Sequence, residues 1–299
     1  MENIIMFVTA YLVFAPIAGG LLAGVDRIIS ARMQGRTGPS ILQPFYDVFK
    51  LMEKEGITVN RVQDFYVMCF FIFVLITGSL FFAGQNLLLI VFTFTLASVF
   101  LVVGAYSSNS PYAQIGAERE LLQIMAYEPM ILITAIGFYM ITGSFNVAEI
   151  MVSEQMAVVP LIGIFFGYLY VLTIKLRKSP FDLSMSHHAH QELVKGLTTE
   201  ISGKSLALIE IAHWYENILF LGFIFLFFAN GTAAGAVIGI TVCIIAYFLE
   251  ILTDNSCARM KWQFALSSSW IVAGTFGFMN IAVLYVPNIM FAIYMYLLG

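Results

Sequence analysis

Long apolar runs alternate with short polar segments along the whole chain. Eight runs approach the roughly 20 residues a membrane helix needs: about 4–25, 65–83, 86–105, 121–142, 157–176, 207–229, 233–253 and 264–286. They predict an all-α integral membrane protein with eight transmembrane helices. The second and third runs are joined by Gly84-Gln85-Asn86, and the sixth and seventh by Asn230-Gly231-Thr232. Links this short join antiparallel neighbours. No charge follows Lys261, and Pro287 interrupts the last run. The tail reads as one kinked span with an interfacial end, because Asn288 to Gly299 is too short to cross.

The first polar segment, Asp26 to Asp64, contains a second kind of pattern. Ile41, Phe45, Val48 and Met52 recur at i, i+4, i+7 and i+11, one face of a helix. Asp47, Lys50 and Lys54 lie largely off that face. The expectation is an amphipathic helix on the cytoplasmic side, lying on the membrane or on a partner. Its polar face is of mixed sign, unlike a polybasic lipid anchor.

Charge fixes the expected orientation. All 14 Lys and Arg residues fall in alternate inter-run segments, on one side of the predicted array. Positive charge gathers on the cytoplasmic face, so both termini are expected outside. The first run has no basic residues before it and reads as a retained span, not a signal peptide. Charged residues are 11% and hydrophobic residues 60% of the 299 positions, too few charges to cover a water-soluble surface. A multi-pass protein of the cell membrane is expected, a single membrane domain over 1–299, with lipid and protein as partners and no nucleic acid. Cys69, Cys243 and Cys257 are far apart and form no Cys-x-x-Cys pair, which gives no support to an iron–sulfur cluster or structural zinc in this chain.

Ionisable groups concentrate between Lys175 and Glu216, which holds all four histidines. In the sixth run Glu210, His213 and Asn217 stand at i, i+3 and i+7, with Glu216 three residues beyond His213. A histidine flanked by carboxylates suits proton transfer. In the fourth run Glu120, Gln123 and Tyr127 share a face, and Glu128 precedes Pro129. A carboxylate at bilayer depth costs ~2.5–3.5 kcal/mol on insertion scales and so marks a functional position. Tyr247, Glu250 and Asp254 share a face at the end of the seventh run and read as a solvated helix end. His187, His188 and His190 lack the spacing of a metal site and read as a loop that packs on a soluble partner or relays protons. With no phosphate loop, nucleophile–base pair or redox motif, the residues describe a proton conduit with a docking surface more readily than an enzyme.

The same residues carry a resemblance. Met33-Gln34-Gly35-Arg36-Thr37-Gly38-Pro39, then Leu42-Gln43-Pro44-Phe45, Asp47 and Lys50-Leu51, resemble the opening of the respiratory complex I chain 1 family. Gly116-Ala117-Glu118-Arg119, Tyr127-Glu128, Ser179-Pro180-Phe181-Asp182, Glu192-Leu193-Val194-x-Gly196 and Glu200-x-Ser202-Gly203 match it too. Two places depart from the quinone-reducing members: Ser184 to Gln191 replaces an acidic cluster, and Ala212-His213-Trp214 stands where Ala-Glu-Tyr is frequent. His188-Ala189-His190-Gln191-Glu192-Leu193-Val194 resembles the membrane anchor of Ech-type energy-converting [NiFe] hydrogenases.

The resemblance implies a membrane subunit that anchors hydrogenase large and small subunits. Ferredoxin-like iron–sulfur subunits and a nickel–iron centre would lie in neighbouring chains, with no cofactor in this one. It would couple ferredoxin-driven hydrogen evolution to movement of H+ or Na+ beside an antiporter-like subunit. Glu128, Asp182, Glu192 and Glu200 match family acidic positions of the ion pathway. Glu120, Glu210, His213 and Glu216 join that pathway from their helical faces. Arg36, Asp47, His187, His188 and His190 are expected at the interface with the peripheral arm. Two alternatives stand beside this reading: a quinone-site subunit of a complex I-like NADH or ferredoxin dehydrogenase, and a stand-alone transporter or channel.

Overall fold

The computed structural model describes residues 2–56, 60–184 and 193–286. Among these it is helical throughout, without a strand. The helices are α1 (Glu2–Met33), α2 (Gln43–Glu53), α3 (Arg61–Phe82), α4 (Leu87–Tyr106), α5 (Pro111–Thr142), α6 (Val147–Met151), α7 (Ile162–Lys175), α8 (Gly203–Phe228), α9 (Ala233–Ser256) and α10 (Trp262–Val272). A π-helical turn, Ala273–Phe278, extends α10, and the helical run continues to Val286.

Among the described residues, seven helices are long and apolar enough to cross a membrane: α1, α3, α4, α5, α8, α9 and the run from Trp262 to Val286. The predicted fifth span is shorter than expected. Only Ile162–Lys175, 14 residues, is helical, after a series of turns. Its start is held from outside. The Asn280 side chain accepts from the Ile164 amide at 3.3 Å and donates to the Pro160 carbonyl at 3.1 Å. The π turn brings the Phe276 carbonyl against Gly163, where a Cβ would stand only 2.9 Å from it. The last run is therefore distorted by this contact within the described residues, ahead of Pro287, which lies outside them.

α8 runs through the middle of the bundle and touches α1, α2, α3, α7 and α9. Between them lies an aromatic core that includes Phe70, Tyr127, Phe138, Tyr168 and Phe227, all fully buried. In a bilayer such packing stabilises through close contact, because lipid tails are as apolar as the core. At one end of the bundle the Leu87 and Val147 amides donate to the Phe145 and Gln85 carbonyls at 2.8 and 3.1 Å, joining the α3–α4 turn to the segment after α5. Asn86 and Thr232, the last residues of the two short links, cap α4 and α9.

α2 is the expected amphipathic helix, starting later than the pattern suggests. Phe45, Val48, Leu51 and Met52 pack with Ala23, Ala207 and Trp214, and the Phe45 and Trp214 rings lie 5.1 Å apart. Ile41 falls before the helix and is exposed; Pro44 is buried at the start of the helix. Proline favours the first helical turn and so sets the start. Tyr46 and Phe49 point outward.

Candidate functional site

The charged residues meet at the end of the bundle where α7 stops and α8 begins. Lys175, the last residue of α7, is turned inward. Its Nζ lies 3.5 Å from Glu216 Oε1 of α8 and over the rings of Phe94, Tyr127 and Phe220 at 4.2, 5.1 and 5.7 Å. The aromatic faces and the carboxylate together replace the water this ammonium gives up. Two residues on, Arg177 takes a left-handed backbone conformation (φ 52°) that swings its side chain back toward α5 and α8. Its Nη2 donates to Glu120 Oε1 at 2.8 Å, and its Nη1 lies 2.9 Å from Nε2 of His213. His213 Nδ1 in turn lies 3.0 Å from Glu216 Oε2.

Glu120 is fixed on its other side by Ser184, whose hydroxyl contacts Glu120 Oε2 and Gln123 Oε1. Gln123 Nε2 donates to the Phe181 carbonyl at 2.6 Å. The result is one continuous buried array: Lys175, Glu216, His213, Arg177, Glu120, Ser184 and Gln123. Burial works against the Arg177 charge, but Glu120 and then Glu216 outweigh it and hold the guanidinium above its ordinary range.

A second cluster flanks the first. Lys178 pairs with Asp26 of α1 and lies 3.5 Å from Asp254 of α9. Asp254 also accepts from the Ser179 amide at 2.8 Å, and Asn255 donates to Ser30 at 2.9 Å. Burial lowers the affinity of Lys178 for its proton, but Asp26 and Asp254 raise it by more, so the ammonium is held above its ordinary value. The two clusters share a cavity of about 490 Å³ between α1, α8 and α9. His213 and Glu216 line it from the first cluster, and Asp26, Lys178 and Asp254 from the second. A neighbouring cavity of about 730 Å³ is lined by Arg36, Asp182 and Arg259.

The structure joins His213 to Glu216 directly and Glu120 to His213 through Arg177. Glu210 and Asp182 line the shared cavity, and Asp182 borders both cavities. Glu200 is half-buried and is not among the residues lining the shared cavity. Arg36 is exposed and bonded to Gln34. Asp47 is bonded to Arg27 at 2.5 Å; slight burial raises its carboxyl, but the Arg27 and Gln43 hydrogen bonds bring it below the ordinary value. Glu192, His187, His188 and His190 lie outside the described residues. No group of three or more His, Cys, Asp or Glu among the described residues is arranged to hold a metal ion.

Glu128 stands apart from the array. It is half-buried and accepts from the Thr95 hydroxyl of α4 at 2.9 Å. It falls in the outward stripe of α5, whose Leu121, Met125, Ile136 and Tyr139 are exposed at the bundle surface. The end of α9 corrects the expectation of a solvated helix end. Tyr247 and Glu250 are buried, and Asp254 serves Lys178. α9 packs on α1 and α8, which a periodicity alone cannot reveal. Lys175, Arg177 and Lys178 were legible only as topological charge; nothing in their spacing points inward.

A family model described as NADH dehydrogenase matches residues 4–285. The chain belongs to that family. Its relatives include NADH-ubiquinone oxidoreductase chain 1 proteins and a hydrogenase component. Hydrogenase-4 component C of Escherichia coli is 25% identical, covering 90% of this chain and 92% of the relative. NADH-ubiquinone oxidoreductase chain 1 of Patiria pectinifera is 29% identical, covering 84% of this chain and 83% of the relative. A chain in the structure of the membrane-bound sulfane sulfur reductase, an archaeal respiratory membrane complex, has the same fold. It superposes with a TM-score of 0.81 at 24% identity, over 93% of this chain and 99% of that one. This NADH dehydrogenase-family chain is therefore a multi-pass membrane subunit of a complex I-like or hydrogenase-type complex.

Proposed function

We propose that the chain is the ion-translocating membrane-arm subunit of a ferredoxin-dependent, hydrogen-evolving energy-converting hydrogenase. It anchors hydrogenase large and small subunits and iron–sulfur subunits, and it moves H+ or Na+ with an antiporter-like subunit beside it. The observation that carries this reading is the buried array from Lys175 to Glu120, whose His213 and Glu216 open onto the shared cavity. Opposite charges held in contact inside a membrane protein respond to charge arriving at one end by shifting protons or side chains along the row. That is the coupling such a subunit needs, with the redox chemistry left to the chains docked beneath. The similarity to hydrogenase-4 component C supports the hydrogenase branch.

The position of Glu128 supports the membrane partner. A carboxylate in the outward stripe of a membrane helix, held only by Thr95 among the described residues, is costly against lipid. It fits a neighbouring membrane subunit that brings a polar or cationic side chain.

A second reading, a quinone-site subunit, is favoured by the cavity next to α1 and by the similarity to NADH-ubiquinone oxidoreductase chain 1. The cavity lining of Asp26, Arg27, Lys178 and Asp254 is a poor match for an apolar ring and tail. Two measurements separate the readings. Mass spectrometry of the tagged, purified complex is expected to find a nickel–iron large subunit. Hydrogen evolution by the complex is expected to resist quinone-site inhibitors. A quinone-reducing activity blocked by such inhibitors, without a nickel–iron subunit, overturns the proposal.

A further inference from the structure

We infer that Glu250 of α9 is a proton-binding site, held as the neutral acid and exchanging its proton with the cavity that the two charged clusters share. The inference rests on the ion-translocating reading above and deepens it by naming a residue and an ion.

The placement of the side chain is the first ground. Glu250 is only 5% exposed, and its Oε2 has no hydrogen-bond partner among the described residues. It lies inside a helix of membrane-spanning length, ~9 Å along the axis from the last residue, Ser256, at about 1.5 Å per residue. Tyr247, three residues before it, and Asp254, four residues after it, share its helical face. Both of them line the shared cavity of about 490 Å³. Glu250 therefore stands on the cavity-facing stripe of α9, between two lining residues, with an oxygen that no described group serves.

The balance of charge around it is the second ground. A buried carboxylate persists only where a cation and hydrogen bonds replace its water. Lys178 of the α7–α8 segment is already divided between Asp26 of α1 and Asp254 of α9. One ammonium thus serves two carboxylates, and a third negative charge on the same stripe would repel both. The other cations that line the cavity are committed elsewhere. Arg27 of α1 is bonded to Asp47, Lys175 of α7 faces Glu216 of α8, and Arg177 holds Glu120 of α5. α8 adds Glu210 and His213 to the lining, and His213 lies against Glu216. The α7–α8 segment adds Asp182, a further acid. With every lining cation matched to a carboxylate of its own, keeping the proton costs Glu250 less than keeping the charge.

The exchange is simple in its balance. The proton leaves Glu250 toward the cavity between Tyr247 and Asp254, and a carboxylate remains; its return restores the acid. One proton moves and no electron does. A metal cation in its place would need a shell of oxygen ligands. No group of three or more His, Cys, Asp or Glu among the described residues is arranged to hold one.

The test needs no turnover. Infrared difference spectra of the intact purified complex are recorded against pH, and in heavy water, for the unmodified chain, Glu250→Gln, Asp254→Asn and Lys178→Met. At neutral pH the unmodified chain is expected to show the carbonyl stretch of a neutral carboxyl that E250Q lacks, although an ordinary glutamate is ionised above about pH 4.3. In heavy water this band is expected to shift within minutes, because the proton exchanges with the cavity. D254N removes a neighbouring negative charge and frees Lys178, so the band is expected to vanish at a pH lower by about one unit or more. K178M removes the cation, and the loss of the band is expected to move by about as much in the opposite direction. These two shifts are read on the native Glu250. E250Q exchanges a neutral acid for a neutral amide of the same shape, so its complex is expected to assemble and melt like the unmodified one. Replacing potassium by sodium at constant ionic strength is expected to leave the band in place. A full set of neutral-carboxyl bands in E250Q overturns the inference. So do a band that does not exchange, shifts in D254N and K178M that are absent or of one sign, loss of the band in sodium, or an E250Q complex that fails to assemble. Failure of the broader reading looks different: no nickel–iron large subunit co-purifies, or turnover drives no ion uptake, whatever the spectra show.

Discussion

Lys175 and Glu216 face each other at 3.5 Å with side chains only 3% and 5% exposed. Removing Glu216 leaves the Lys175 ammonium without its contacting carboxylate, and removing Lys175 leaves the Glu216 carboxylate with His213 in place of a fixed cation. Lys175→Met and Glu216→Gln are each expected to lower the stability of the chain by about 3–5 kcal/mol, the range for breaking a buried pair. The double variant Lys175→Met, Glu216→Leu places apolar groups on both sides of a site already walled by Phe94, Tyr127 and Phe220. It is expected to recover most of the loss. Thermal unfolding of the purified complex, arranged as a double-mutant cycle, reads this out. A double variant as unstable as the two single losses added together would mean that the residues do not act as a pair.

Lys178 tests the second cluster through pH. Its charge is held above the ordinary lysine value of 10.5 because Asp26 and Asp254 outweigh the effect of burial. A group raised in the folded state contributes stability that is fully present below its unfolded value and is lost as pH rises through the folded one. The contribution of Lys178 is therefore constant across neutral pH and disappears only in strong alkali. Lys178→Met is expected to destabilise the complex by the same amount anywhere in the neutral range. The difference from the unmodified protein should close only above pH 10.5. Thermal melts of both proteins along a pH series check it; a gap that changes between mildly acidic and neutral pH would point to a different partner.

What the sequence made legible follows from what periodicity encodes. Apolar runs of membrane length, the two short links and the buried face of α2 need only local pattern; among the described residues seven of the eight runs appear as helices of spanning length, and α2 buries Phe45, Val48 and Met52 but not Ile41. Glu120, His213 and Glu216 were legible because a carboxylate or histidine inside an apolar run has few explanations. Lys175, Arg177 and Lys178 were not. They stand at the end of a span, where basic residues are expected on topological grounds alone, and only the left-handed turn at Arg177 sends its side chain inward. The burial of Tyr247 and Glu250 was equally hidden, because it depends on how α9 lies against α1 and α8. The short α7 escaped for a related reason: its start is set by Asn280, more than a hundred residues away in the chain.

Gly116 tests how the array is held in place. α5 passes so close to the segment before α8 that a Cβ at this position would stand 2.9 Å from Gly196 Cα and closer still to the next peptide. Backbone cannot yield as a flexible side chain can. The same segment holds Ser184, whose carbonyl accepts from the Leu197 amide at 3.2 Å, and Ser184 holds Glu120. Gly116→Ala is expected to cost about 1–3 kcal/mol by overpacking. It should also loosen Ser184 from Glu120. Amide hydrogen exchange at Leu197 is expected to rise in G116A while exchange in the middle of α8 stays unchanged. Protection at Leu197 equal to that of the unmodified chain would show that the contact does not position the array.

Glu128 separates conduction from electron chemistry. It lies outside the buried array, bonded to Thr95 and facing outward among apolar residues, so its removal should disturb neither the docking of the peripheral arm nor the Lys175–Glu216 pair. Glu128→Gln keeps the shape and the bond from Thr95 but cannot accept a proton. With an artificial electron donor, hydrogen evolution by the E128Q complex is expected to stay close to the unmodified rate. Ion uptake into vesicles during that turnover is expected to fall at least about tenfold, equivalent to ~1.4 kcal/mol on the transfer step. Thr95→Ala removes one hydrogen bond to the carboxylate and leaves its charge. The smaller loss expected there distinguishes positioning of Glu128 from its titration. If E128Q and T95A reduce uptake equally, the hydroxyl matters more than the carboxylate, and Glu128 does not carry the ion. If E128Q abolishes hydrogen evolution as well, the outward face of α5 serves assembly of the whole complex rather than transfer across it.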